Sequence, residues 1–328
     1  MWANEEIKGR WRVPGQNQDR ITIQAFNWGV NGRDLIRRLL VHVQAKSLHA
    51  SERTVDLWHP VRTAGDMEWE IVAKIAKRPT RTVVLQEGIM EDILGDVAKF
   101  IERESWYAAR NIPHRRGYLL EGPPGCGKTS LIRAVASEFS LPLCCVPLQS
   151  QRVGEGGIEA LLHRAPEGAI IYIEDIDCAE QGGVLSRTGE QRTTTQESDK
   201  RVTMSDILNA IDGLGAQTGR LLFLTTNHPE RLDPALLRDG RVDRRFHLGP
   251  ADREMSYRVF QSIKGDAAKA DEAAARHFAE VVPEGCTIAQ LQGFLVKHHE
   301  LPAEEVVLKA QELVPMVAGQ NGHVAEQT

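Results

Sequence analysis

The stretch Gly122-Pro123-Pro124-Gly125-Cys126-Gly127-Lys128-Thr129 limits what this chain can fold into more than any other. It lies between a short apolar run ending at Glu121 and a helical pattern beginning at Lys128. Strand, glycine-rich loop and helix in that order make a cradle for polyphosphate. Backbone N–H groups must approach several negative charges with no side chain between, and glycine permits this. The helix N-terminus adds unpaired donors and a favourable dipole. Nucleotide contacts are therefore expected from Gly122, Pro123, Pro124, Gly125, Cys126, Gly127, Lys128, Thr129 and Ser130. Lys128 should reach the β- and γ-phosphates and the Thr129 hydroxyl should ligate Mg²⁺, so ATP and Mg²⁺ are the expected ligands.

Around this loop, short apolar runs at 118–120, 143–148, 169–173 and 221–225 alternate with helical patterns from Thr129 and near 158–162. That alternation predicts a doubly wound parallel sheet wrapped by helices. An amphipathic helix is expected over about 90–104. After about Gly249 the pattern turns helical, with Thr287 capping a helix that carries Ile288, Leu291 and Leu295, and Pro302 near another start. The expected class is α/β: a P-loop doubly wound parallel sheet with a helical lid, plus a small N-terminal α+β domain. The latter rests on alternation at 20–26, a helical face at Leu35, Leu39, Leu40 and Val43, and alternation at 54–58 and 67–72 around Gly65-Asp66. Expected boundaries are 1–85, 86–250 and 251–328. The polar segment 181–200 reads as a mobile loop.

The run 169–173 ends in Glu174-Asp175-Ile176-Asp177, delivering acids to the carboxyl end of a strand, where open α/β sheets bind ligands. Glu174, with Thr129, is expected to hold Mg²⁺, and Asp175 to polarise the attacking water. The usual order at such a strand is Asp then Glu; the reversal leaves open a variant geometry or a slow ATPase. A second apolar strand leads to Asn227, placed to orient water, although a strand-end Asn is also a common turn former.

A net charge of −5 offers no basic footprint, so no nucleic-acid partner is expected. Five cysteines without a C-x-x-C pair argue against a disulfide framework and for a reducing compartment. No run approaches the ~20 apolar residues of a membrane span, and the N-terminus lacks the order of a signal peptide. As written, the chain reads as soluble and untargeted.

Asn227, the segment Leu232-Asp233-Pro234-Ala235-Leu236-Leu237 and the pair Arg238/Arg241 resemble the second region of homology of AAA ATPases. Over 78–250 the chain is similar, more narrowly, to the mitochondrial AAA chaperones that assemble the cytochrome bc complex by translocating its Rieske iron–sulfur subunit. The residues that carry this are Arg78-Pro79, Trp106-Tyr107, the run 115–125, Glu174-Asp175-Ile176-Asp177 and Leu208-Asn209-Ala210-Ile211-Asp212-Gly213. Residues 20–77 look like that family's N-terminal domain less specifically, and the last 60 or so match only as a helical lid. The resemblance implies an AAA+ core in a homo-oligomeric ring, hydrolysing ATP to move a folded protein cargo at the mitochondrial inner membrane. It also implies that Arg238 and Arg241 reach a neighbour's nucleotide, neutralising charge that develops on the γ-phosphate. Alternatively, they pair with Asp233 or Asp243 on their own surface.

Three departures stand beside the likeness. The family's N-terminal transmembrane helix has no counterpart, so a membrane is expected only if an anchor lies outside this sequence. Asp239 stands where the family often has proline. Cys126 replaces a small hydroxyl residue, as a redox brake or a small neutral filler. Residues 148–154 hold no aromatic where threading unfoldases place a pore residue, and no H-E-x-x-H motif marks a fused metalloprotease. From a different class, a nucleotide-gated oligomeric scaffold with little turnover also fits.

Overall fold

Residues 53–63, 66–148, 157–179, 202–213, 219–264 and 272–315 are described by a computed structural model. The chain divides between Thr54 and Val55, and all but the first two of these residues belong to the second unit. Strands β1 (Thr54–Thr63), β2 (Asp66–Ala76), β3 (Arg115–Glu121), β4 (Leu143–Val146), β5 (Ile170–Ile173), β6 (Arg220–Thr226) and β7 (Arg244–His247) form one sheet in the order β2-β1-β4-β5-β6-β3-β7. The pairings β1–β4, β4–β5, β5–β6, β6–β3 and β3–β7 are all parallel. Every residue of β4, β5 and β6 is buried. Helices cover both faces of such strands, which is why they read as continuous apolar runs rather than alternation.

The pleat sends neighbouring residues to opposite faces. Leu119, Ile171, Ile173, Leu222 and Leu224 join Leu161 and Leu162 of α4 (Gly157–Arg164) and Ile207 and Ile211 of α5 (Met204–Gly213) in one core. Tyr118, Leu120, Ile170, Tyr172 and Phe223 join Ile93, Val97 and Phe100 of α1 (Ile89–Glu102) and Leu131, Ile132 and Val135 of α3 (Lys128–Phe139) in the other. The helix expected over 90–104 ends at Glu102, and a separate short helix, α2 (Glu104–Ala108), follows. The chain leaves β3 for β4, returns through β5 to β6 beside β3, then places β7 on the far side of β3. This reversal opens a crevice beyond the carboxyl ends of β3 and β6, the usual ligand position in open α/β sheets.

The expectation for residues 1–85 is revised in its last third. β1 and β2 extend the core sheet, with Leu57 opposite Leu143 and Trp58 opposite Cys144. Met67 belongs to the first core and Trp69 packs against it. Alternation predicts a strand in either setting and carries no information about which sheet receives it. β7 escaped the sequence reading because only Phe246 of R-R-F-H is buried; an edge strand can keep its charges. The patterns at 20–26 and 33–43, and the segments 149–154 and 181–200, lie outside the described residues.

Helices α6 (Arg253–Lys264), α7 (Glu272–Val281), α8 (Ile288–Lys297) and α9 (Ala303–Lys309) surround a core of their own, which includes Val259, Phe260, Phe278, Leu291, Leu295 and Val306. Helix α7 also escaped sequence reading, because three of its four buried residues are alanines and leave little apolar rhythm. The Thr287 cap is present as a capping box. Its hydroxyl accepts from the Gln290 N–H, and the Gln290 side chain accepts from the Thr287 N–H at 2.9 Å. Thr287→Ala is expected to cost about 1 kcal/mol, read as a lowered urea midpoint with unchanged slope.

Candidate functional site

Gly122 leaves β3 at φ 140°, and a Cβ there would stand 2.0 Å from the Leu248 carbonyl oxygen. No side chain fits. Gly127 caps α3 from the left-handed region, at φ 95° and ψ 8°, without a side-chain hydrogen bond to the helix. The first N–H groups of α3 are thus left for an anion.

Lys128 is the first residue of α3 and is nearly buried. Its ammonium donates to Gly122 O (2.7 Å), Pro123 O (3.0 Å) and Asn227 Oδ1 (2.7 Å), which uses all three of its protons. Burial pushes its pKa down, while the nearby Cys126, Asp175 and Asp177 oppose that shift. A phosphate oxygen is a stronger partner than the two loop carbonyls and can take their place.

Asn227 also donates from Nδ2 to Asp175 Oδ1 at 2.9 Å, so its amide bridges the lysine and the carboxylate. Asp177 secures this arrangement from below, accepting from Thr226 Oγ1 (2.7 Å) and the Asn227 N–H (3.2 Å). Asp175 sits in the left-handed region at φ 49°, ψ 55°, with its N–H on Thr225 Oγ1 (3.1 Å). Asp tolerates that conformation better than most residues. Burial, then the charges of Asp177 and Glu174, push its pKa up; Lys128 and the Asn227 hydrogen bond oppose them.

The Thr129 hydroxyl donates to Glu174 Oε1 at 2.7 Å. Two oxygens at that separation suit neighbouring ligands of octahedral Mg²⁺, which stand about 2.9 Å apart when each bond is ~2.0–2.1 Å. The donor set is all oxygen, as a hard cation requires. Thr129 and Glu174 therefore fit the group.

Lys128, Thr129, Glu174, Asp175 and Asn227 line a cavity of about 340 Å³. Val83 and Val84 wall it on one side, and Ile288, Ala289 and Gln292 of α8 on another. The lid meets the loop directly, the Ala289 N–H donating to Gly125 O at 3.0 Å. Its polar lining residues suit phosphates, and its apolar ones suit a flat base. Cys126 is 1% exposed and joins the core shared with α3, and burial pushes its thiol pKa up. A buried protonated thiol suits a neutral filler better than a redox brake.

Arg238 and Arg241 do not enter this cavity. The Arg241 carbonyl presses on Gly117, where a Cβ would stand 2.0 Å from it. Gly117 precedes Gly122 by five strand positions, or ~16 Å at ~3.3 Å per residue. The arginine segment thus lies toward the opposite end of β3 from its own loop. Arg241 forks onto Asp212 (2.9 and 2.6 Å) and donates to Ala235 O at 2.6 Å, so its partner is neither Asp233 nor Asp243. Arg238 is exposed, and among the described residues its side chain has no hydrogen bond or ion pair. Arg78, Val83, Val84 and Gln292 line the cavity without having been singled out as site residues from sequence. Of these only Arg78-Pro79 carried any signal, as part of the family likeness.

The model of the ATPase family associated with various cellular activities (AAA) matches residues 118–250. Mitochondrial chaperone BCS1 of Bos taurus is 38% identical over 69% of this chain and 54% of its own length. The probable mitochondrial chaperone bcs1 of Schizosaccharomyces pombe is 36% identical over 84% of this chain and 58% of its own. The chain thus spans little more than half the length of these two relatives. Probable mitochondrial chaperone BCS1-A of Dictyostelium discoideum is 33% identical over 94% of this chain and 74% of its own length. With a P-loop at the switch point of a mostly parallel sheet, a helical lid above it and these likenesses along its length, the chain belongs to the BCS1 family of AAA ATPases.

Proposed function

We propose that this chain binds ATP with Mg²⁺, hydrolyses it as part of a homo-oligomeric ring, and couples hydrolysis to protein translocation or respiratory-complex assembly. The observation that carries the reading is the Asn227 bridge, which brings Lys128 and Asp175 to one point beside the Thr129–Glu174 pair. The N–H groups at the start of α3 and the Lys128 ammonium hold the phosphates. Thr129 and Glu174 hold Mg²⁺, which when bound neutralises charge on the phosphate oxygens. Asp175 accepts the proton of the attacking water, and Asn227 orients that water. Arg238, exposed and unpaired among the described residues, serves the nucleotide of the next subunit; Arg241, held by Asp212, fixes the segment that carries it.

The relatives' names supply the setting: they are mitochondrial chaperones, and mitochondrion is carried from them to this chain. The inner membrane and a folded iron–sulfur cargo follow from the family likeness. Among the described residues, no helix is long and apolar enough to cross a membrane.

Phosphate release by the purified oligomer should exceed the uncatalysed background. It should also fall as pH drops, because Asp175 acts only when ionised. Its raised pKa starts that loss at a higher pH than an ordinary carboxylate would. A pH profile of kcat/KM checks the limb. The Glu174-Asp175 order, which gives the proton acceptor the shorter side chain, favours a second reading as a nucleotide-gated scaffold. Nucleotide binding with release at background would establish that reading instead.

A further inference from the structure

Among the described residues, Arg78 is the one cationic side chain besides Lys128 that lines the cavity. It comes from the segment ahead of α1, outside the P-loop. Two contacts pin it to α3. Its N–H donates to Ser137 Oγ at 2.8 Å, and its Nη1 donates to Ser130 Oγ at 3.0 Å. Ser137 is itself held, donating to Arg133 O at 2.6 Å. Two side chains of the helix that opens the phosphate cradle thus hold Arg78, Ser137 at its backbone and Ser130 at its guanidinium.

What it lacks is a counter-charge. Among the described residues no carboxylate pairs with Arg78. Burial, and then the like charge of Arg133, push its pKa down. A half-buried guanidinium with one hydrogen bond to a hydroxyl has four N–H donors still to place. An anion in the cleft would supply what the protein does not.

The surroundings say which part of the ligand that is. Ser130 follows Thr129 in the first turn of α3, so Arg78 reaches the phosphate end. Val83 and Val84, a few residues beyond Arg78 on the same segment, wall the apolar part. In the proposed reading Lys128, Thr129 and Glu174 already serve the terminal phosphates, which leaves the α-phosphate for Arg78.

We propose that Arg78 is a nucleotide-binding residue whose guanidinium, positioned by Ser130, takes the α-phosphate of a bound nucleoside di- or triphosphate. This rests on the reading of the cavity as a nucleotide site. A contact to the α-phosphate is common to ATP and ADP and unchanged by hydrolysis, so it strengthens binding without accelerating chemistry.

Fluorescence titration of the full chain with labelled ADP and a labelled non-hydrolysable ATP analogue tests this. Arg78→Gln should weaken both by the same factor, about tenfold. KM for ATP should rise with kcat unchanged, and the nucleotide-free melting temperature should stay at the wild-type value. Arg78→Lys, which keeps the charge but loses the fork, should lose about threefold; should the Gln variant fail to fold, this one decides. Wild-type affinity in these variants overturns the inference while leaving the nucleotide site standing. Loss for the ATP analogue alone would move Arg78 to the γ-phosphate and overturn the assignment. If the wild-type chain binds neither nucleotide, the reading of the cavity fails and takes this inference with it.

Discussion

Lys128→Ala should abolish measurable ATP turnover and weaken nucleotide binding roughly thirty- to several-thousand-fold, the equivalent of about 2–5 kcal/mol for one partner of a buried charge pair. The ammonium is nearly buried and all three of its donors are placed, two on loop carbonyls and one on Asn227. In the bound state those donors turn to phosphate, and alanine supplies none. The loop has other means of holding an anion, namely the N–H groups of α3, so residual weak binding is compatible with the assignment. Full turnover is not. Titration with a fluorescent nucleotide separates lost binding from lost chemistry, and the melting temperature shows whether the fold survives.

Asp175→Asn should behave differently, lowering kcat by about 10²–10⁴-fold while nucleotide affinity stays near wild type. The asparagine keeps the shape and can still meet Asn227 after an amide rotation, but it cannot take a proton. This variant also gives access to the arginines. Alone, Arg238→Ala and Asp175→Asn assemblies should both be nearly inactive. Mixed, they should recover part of the turnover, because some interfaces pair an intact Asp175 with an intact Arg238. The geometry motivates the test: Arg241 rests on Gly117, at the end of β3 remote from its own loop. Absence of recovery across mixing ratios would argue against action between subunits.

The legible parts of the site were those written in consecutive residues. The loop 122–129 constrains its own backbone residue by residue, and Gly122 and Gly127 hold positions that a side chain would spoil. The buried runs of β4, β5 and β6 announced a sheet covered on both faces, and Glu174 and Asp175 stood where β5 had to end. The Thr287 box was visible because both halves lie three residues apart. Edge strand β7 and alanine-rich α7 were not, since neither needs a strong apolar rhythm to be held in place.

By itself, then, the sequence determined the cradle, the acidic strand end, the parallel sheet and the family. Each depends on local backbone preference or on periodicity along one element. Only the tertiary structure decided which residues meet. It joined Asn227 to Lys128, 99 positions away, and to Asp175, 52 positions away. It also set Arg241 on Asp212 rather than its nearer acids, drew Arg78 onto Ser130 and closed the apolar wall with Val84 and Ile288. It added β1 and β2 to the core sheet. The physical reason is common to all of these. A hydrogen bond or contact between distant residues depends on how the whole chain closes around its cores, and no short stretch of sequence carries that information.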